Sequence, residues 1–327
     1  MSDYAAQALG GSKLAGARLI RYLEDDDPRG AAGLKALYPH TGRAYILGIT
    51  GPPGAGKSTL IDRVVSVLRA RNLKVGVIAV DPSSPFSGGA VLGDRIRMQR
   101  HAGDDGVFVR SMATRGRLGG LARTTNEAAL VLDAMGYDVI IVETVGVGQD
   151  ELDIADLAHT TAVICIPGLG DDIQAIKAGI LEIGEVFAVN KADRPGADDT
   201  VNQLLGMLQM RSDTEQGWRP PVLKTAALKD EGLVAFVDAC LSHRKYLSDS
   251  GRLAQRVLAR DLHLFKDLVK QMVYEKLFET PLAEGGELQA LMADVQLRRI
   301  DPRSAAERAV RGIHCARQPA LADSKNL

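Results

Sequence analysis

Residues 45–70 read "YILGITGPPGAGKSTLIDRVVSVLRA". An apolar run, a bend rich in glycine and proline, and an amphipathic stretch follow one another directly. The bend carries Gly51-x-x-x-x-Gly56-Lys57-Ser58, the spacing of a phosphate-binding loop between a strand and a helix. Glycines at these places let the backbone curl until consecutive N–H groups point at phosphate oxygens, and the helix start adds partial positive charge. The predicted nucleotide-binding set is therefore Gly51, Pro52, Gly54, Ala55, Gly56, Lys57, Ser58 and Thr59. Lys57 is expected to pair with the β- and γ-phosphates, and the Ser58 hydroxyl to ligate Mg²⁺.

Outward from this stretch, short apolar runs alternate with longer amphipathic ones: "AYILGIT", "VGVIAVD", "VFVRSMA", "DVIIVET", "TAVICIP", "VFAVNKA" and "PVLKTAA". Several are apolar throughout, as strands buried on both faces of a parallel sheet are. Segments such as "LIDRVVSVLRARN" and "TNEAALVLDAM" supply the crossover helices. The pattern predicts an α/β fold, a doubly wound, mostly parallel sheet over 44–250. Residues 1–43 read as a polar helical segment that Asp27-Pro28 interrupts. Residues 251–327 read as a helical extension. In it Leu253, Val257, Leu258, Leu262, Phe265, Leu268, Val269 and Met272 make an apolar stripe wider than a coiled-coil seam. Packing on the α/β domain and homodimer formation both fit that stripe.

The 327 residues carry 40 Lys+Arg against 41 Asp+Glu. So even a balance gives no electrostatic case for nucleic acid or an anionic membrane as partner. No apolar run approaches a membrane span, and the N-terminus lacks a secretion-signal pattern, so the cytoplasm is expected. Cys165, Cys240 and Cys315 are far apart and form no Cys-x-x-Cys pair.

"VNKAD" ends a predicted strand with Asn190-Lys191-Ala192-Asp193. Guanine offers two adjacent donors that one carboxylate accepts together; adenine does not. Asp193 is thus the expected base reader, with Asn190 bracing the loop and Lys191 along the base face. Thr225, Ala226 and Ala227, after the next strand run, are the expected backbone contacts to the base. Together they favour GTP over ATP.

"DVIIVETVGVGQDE" puts Glu143 at a strand end and Gly146 three residues later, the position of a Mg²⁺-linked acid and a γ-phosphate sensor. Val147 follows where a glutamine would orient the attacking water, with Gln149 further on as the other candidate for that task, and hydrolysis without a partner is expected to be slow. The stretch "DPSSPFSGGAVLGDR", 81–95, is too long for a plain connection and has a carboxylate near each end, Asp81 and Asp94. Its length and glycines suit a segment that reorganises, with Asp81 held at a strand end and Asp94 further along the loop.

These stretches, with "VRSMATRGRLGGLA" and "GLGDDIQAIKAGILEI", resemble the MeaB/ArgK-type P-loop GTPases over most of the chain. That family belongs to the SIMIBI class and serves as chaperones of adenosylcobalamin-dependent acyl-CoA mutases, typically methylmalonyl-CoA mutase. The resemblance implies that Asp81, Asp94 and Glu143 join Lys57 as the catalytic group. The same three acids with Ser58 would form the Mg²⁺ set. It implies switches over 81–97 and 143–149, and a relay switch over 167–177 with Asp171, Gln174 and Lys177 as polar candidates. It also implies homodimerisation through the C-terminal helices. Two other readings are a metal-delivering GTPase, which would need His-rich or Cys-x-x-Cys carriers absent here, and a transport-system kinase, for which no acceptor pocket is marked.

Overall fold

The computed structural model describes residues 3–81, 98–113, 120–144, 150–168, 178–210, 217–278 and 287–315. Seven strands form one sheet: β1 (Tyr45–Thr50), β2 (Val75–Asp81), β3 (Val107–Ala113), β4 (Val139–Glu143), β5 (Thr160–Cys165), β6 (Val186–Val189) and β7 (Val222–Lys224). Their order is β3-β2-β4-β1-β5-β6-β7, and every neighbouring pair is parallel. All seven apolar runs are strands, and the sheet is wholly parallel. The helices are α1 (Asp3–Leu9), α2 (Lys13–Glu24), α3 (Pro28–Leu37), α4 (Lys57–Ala70), α5 (Gly120–Ala134) and α6 (Asp150–Leu157). They continue as α7 (Ala178–Ile183), α8 (Ala197–Gln209), α9 (Leu233–Asp249), α10 (Arg252–Phe278), α11 (Glu287–Gln296) and α12 (Pro302–Cys315).

Alternate residues of each central strand supply two cores. Ile46, Ile78, Val80, Ile140 and Val142 face α5, α6 and the N-terminal helices, where Leu19, Ile20 and Leu23 of α2 are buried with them. Tyr45, Leu47, Ile49, Val77 and Ile141 face α4 and α9, meeting Leu60, Ile61, Val64, Val65 and Leu68 of α4 and Phe236 of α9. Each such aliphatic side chain contributes about 1.5–3 kcal/mol by leaving water. A third cluster, of Val163, Cys165, Phe187 and Val189 against Leu204 of α8, covers one face of the β5–β6 pair. Burial pushes the Cys165 thiol up to about 12, so it serves as a small apolar side chain.

Asp27 ends the α2 connection and caps α3, its carboxylate accepting from the Arg29 N–H at 2.9 Å with Pro28 at the first helical position. Asp133 of α5 accepts from the N–H groups of Gly42, Arg43 and Ala44 at 2.6–3.1 Å, which fixes the chain as it enters β1. The molecule divides into two compact units, Met1–Leu264 and Phe265–Leu327. The first holds the sheet and both of its helical layers.

Candidate nucleotide site

β1 lies in the middle of the sheet between β4 and β5, so the loop at its carboxyl end opens where the chain switches direction across the sheet. That loop is Gly51–Gly56. Gly51 has φ 143°, and a side chain there would collide with the Ile164 carbonyl of β5. Gly56 has φ 83°, and a Cβ would lie 2.7 Å from Asn190 Nδ2. Only glycine satisfies both the dihedral and the space at these two places.

Lys57 opens α4 and is buried, its Nζ donating to the carbonyls of Gly51 at 2.7 Å and Pro52 at 3.1 Å. The ammonium is thus held against the carbonyls of its own loop. Ser58 Oγ donates to Glu143 Oε1 at 2.8 Å, and both residues are buried. The register explains the meeting: Ile49 of β1 stands beside Glu143 of β4, so the strand ends deliver loop and acid together. Asp81 ends β2, two positions beyond the Ala79 that pairs with Glu143; its backbone alone is described. Two oxygen donors at hydrogen-bond distance, one of them a carboxylate, suit a small hard cation. Among the described residues no cluster of three or more His, Cys, Asp or Glu forms.

Asn190 ties three segments together. Its Nδ2 donates to the Ala55 carbonyl at 2.9 Å, and its Oδ1 accepts from the Ala227 N–H and the Thr225 hydroxyl, both at 3.3 Å. Lys191 adopts φ 58° and donates from Nζ to the Gly54 carbonyl at 2.7 Å. Asp193 lies on the exposed side of the same turn with Lys229 Nζ at 3.3 Å. The Ala192 N–H donates to the Thr225 carbonyl at 3.0 Å, joining the Asn190–Asp193 turn to the Thr225–Ala227 turn. Asp94, Gly146, Asp171, Gln174 and Lys177 lie outside the described residues.

Three partners were not read from the sequence. Lys229 is one, and it follows no motif. Thr144 Oγ1 donates to Thr50 Oγ1 at 3.0 Å, a buried hydroxyl pair that locks β1 to the end of β4. Asp62, buried on α4, has His101 Nε2 within 3.3 Å of its carboxylate and 3.0 Å of its carbonyl. That contact fastens the segment after residue 97 to the phosphate-loop helix. His101 and Asp62 are 39 residues apart, and nothing in their local sequence announces the pairing.

A family model described as "Methylmalonyl Co-A mutase-associated GTPase MeaB" matches residues 16–282. A protein of Pyrococcus abyssi named for GTPase activity is 50% identical over 299 residues, covering 91% of this chain and 92% of that one. The GTPase ArgK of Escherichia coli is 36% identical over 277 residues, 83% of this chain and 82% of its own. A mouse protein, the mitochondrial homolog of methylmalonic aciduria type A, is 35% identical over 234 residues, 71% of this chain and 56% of its own. A crystal structure of a LAO/AO transport system kinase superposes with a TM-score of 0.72 at 26% identity, covering 96% of this chain and 97% of that one. A parallel sheet with a phosphate loop at its centre, a turn of the Asn-Lys-x-Asp pattern tied to that loop, and these likenesses over most of the chain agree with one another. The chain belongs to the MeaB/ArgK family of P-loop GTPases: it binds guanine nucleotide and hydrolyses GTP.

Proposed function

We propose that this GTPase serves an adenosylcobalamin-dependent acyl-CoA mutase, gating the loading of its cofactor and protecting the loaded enzyme. The observation that carries the reading is the match over 16–282 to a family described as associated with methylmalonyl-CoA mutase. The mouse relative, named for methylmalonic aciduria, supports the same client chemistry.

In the nucleotide site, Lys57 leaves its two loop carbonyls to meet the β- and γ-phosphates, an exchange of neutral acceptors for charged ones. Gly51, Gly54, Ala55, Gly56 and Thr59 surround the phosphates with backbone N–H groups, and Pro52, which has none, sets the bend of the loop. Mg²⁺, when bound, neutralises developing charge on the phosphate oxygens. Ser58 and Glu143 would hold it, joined by Asp81 and Asp94. Asp193, positioned by Lys229, accepts the two adjacent donors of guanine, while Asn190, Lys191 and the turn Thr225, Ala226, Ala227 shape the base pocket. Gly146 senses the γ-phosphate, and Asp171, Gln174 and Lys177 relay nucleotide state to the mutase. The protein works in the cytoplasm; among the described residues no helix is long and apolar enough to cross a membrane.

The test is a pull-down of purified methylmalonyl-CoA mutase by the full chain loaded with GDP or a non-hydrolysable GTP analogue, paired with a GTPase assay. Nucleotide-dependent retention and faster phosphate release are expected. Neither retention nor stimulation with that mutase or a related acyl-CoA mutase would remove the client assignment and leave the GTPase standing.

A further inference from the structure

Because all seven strands are parallel, the sheet has a carboxyl end bearing the phosphate loop and an amino end roughly 20 Å away, the length of a six-residue strand. At the amino end lies a cavity of about 830 Å³, a volume that suits a small organic ligand. Its walls are the residues that lead into β5, β6 and β7, the last turns of α6, α7, α8 and α9, and one face of the start of α10. It shares no residue with the nucleotide site.

One wall is cationic. Arg252, Arg256 and Arg260 recur every fourth residue on α10 and so line a single helix face, and Arg219 joins them from before β7. Arg256 is committed to Glu185, with an ion pair of 2.5 Å, and donates to the His159 carbonyl at 2.9 Å. Arg260 is 8% exposed, and its ion pair is with the adjacent Asp261 at 3.2 Å. Arg219 is exposed and makes no ion pair among the described residues. Against the four arginines stand Glu185, Glu182 and Asp156, the last 4.0 Å from His263.

A second wall includes a buried histidine. His159, buried where the chain enters β5, accepts the Ile46 N–H on Nδ1 at 3.1 Å, so its neutral ring carries the proton on Nε2. That Nε2 is buried and has no hydrogen-bond partner. Burial, with Arg260, Arg244 and Arg256 nearby, holds the imidazole down to about 3, which keeps the ring neutral at physiological pH. A third wall is aromatic: Trp218 stands 4.8 Å from the His243 ring and 5.5 Å from Tyr246, with its indole N–H donating to the Glu185 carbonyl at 2.8 Å.

We propose that this cavity is a second ligand site, for a small organic anion with a flat apolar body. The charged head meets the arginine face, and the body lies against Trp218 and Tyr246. Buried polar donors beside an apolar surface are the arrangement such a ligand requires.

Trp218 is the single tryptophan of the sequence, so its emission reports dye bound in or near this cavity, and the arginine variants below place the dye within it. The full chain, saturated with GDP, is titrated with anilinonaphthalene sulfonate while Trp218 emission is followed; dye emission itself is ignored, because apolar surfaces elsewhere also bind the dye. Saturable quenching at one equivalent per chain is expected, unchanged by further GDP. Arg219→Ala, and Arg219→Ala combined with Arg252→Ala, should weaken it stepwise, the double variant by about tenfold. Five results would overturn the proposal: no saturation, competition by GDP, equal affinity in variants that melt like the parent, equal quenching by inorganic phosphate alone, or an apparent affinity that shifts with protein concentration. The last would mean that another copy of the chain fills the cavity.

Discussion

Asp193 and Asn190 divide the work of one short turn. Asn190 is 2% exposed and spends its amide on the Ala55 carbonyl, the Ala227 N–H and the Thr225 hydroxyl, so it holds the phosphate loop and the base-side turn at a fixed separation. Asp193 reaches the exposed side with Lys229 at 3.3 Å, and its carboxylate has capacity left for a ligand. Asp193→Asn exchanges an acceptor for a donor that opposes the exocyclic amine of guanine but meets the 2-oxo group of xanthine, while the amide oxygen still accepts the ring N1–H of either base. The GDP dissociation constant should rise by about 10²–10³ while xanthosine diphosphate binds more tightly than GDP, since a missing partner for a buried donor costs about 1–3 kcal/mol or more when charged. Competition titration of both nucleotides measures it, and retained guanine preference would take Asp193 out of the base pocket.

α10 shows what an element presents when its sequence pattern has no visible partner. Leu258, Leu262, Phe265, Val269 and Met272 recur at intervals of four and three, and each is more than two-fifths exposed. A helix stripe of large apolar side chains left in water is unfavourable by about 25 cal/mol per Å², which makes it a site for another surface. Its spacing suits an identical helix packing against it. The full chain should therefore sediment as a dimer, and Leu262→Glu with Phe265→Glu should shift it to monomer at micromolar concentration while GDP affinity stays within about twofold, because neither residue meets the phosphate loop. A parent protein that sediments as a monomer would exclude this use of the stripe.

At the scale of the molecule, acid response follows from a few buried ionisable groups. Glu127 of α5 is 7% exposed with one carboxylate oxygen unbonded, and burial pushes it up to about 7 although Arg123 opposes the shift. It sits where the N-terminal helices meet the sheet layer, beside the ion pairs Arg123–Asp26 and Arg110–Glu24. A raised carboxyl contributes stability that is complete below its ordinary value of 4.5 and is lost as pH rises to about 7. His159 and His243 work in the other direction. Burial holds both down to about 3 from 6.5, so their contribution is complete above 6.5 and is lost as pH falls towards 3. Glu127→Gln should thus be more stable than the parent by on the order of 2–3 kcal/mol near pH 8, with the difference vanishing near pH 4.5. Urea midpoints of the two proteins across that range test it; parallel profiles would show that Glu127 is ionised in the folded protein.

By itself the sequence determined the strands, the phosphate loop and the Asn190–Asp193 turn beside it, because each is written in neighbouring residues. Runs apolar at every position mark strands covered on both faces, and Gly51 and Gly56 mark dihedrals and clearances that other residues cannot meet. The Asp27-Pro28 break was equally legible, since a capping carboxylate and a proline at the first helical position act within one turn. Only the tertiary structure decided how these pieces meet. Strand order puts β4 beside β1 and so brings Glu143 to Ser58 across 85 residues of chain; it brings His101 to Asp62 and Lys229 to Asp193 with no motif to announce either. The amino-end cavity is the extreme case. Its arginines, histidine and tryptophan come from two separate connections and a helix, and their shared wall exists because parallel strands start side by side. Local sequence encodes conformation through sterics and burial pattern, whereas proximity between distant segments is set by the packing order of the sheet.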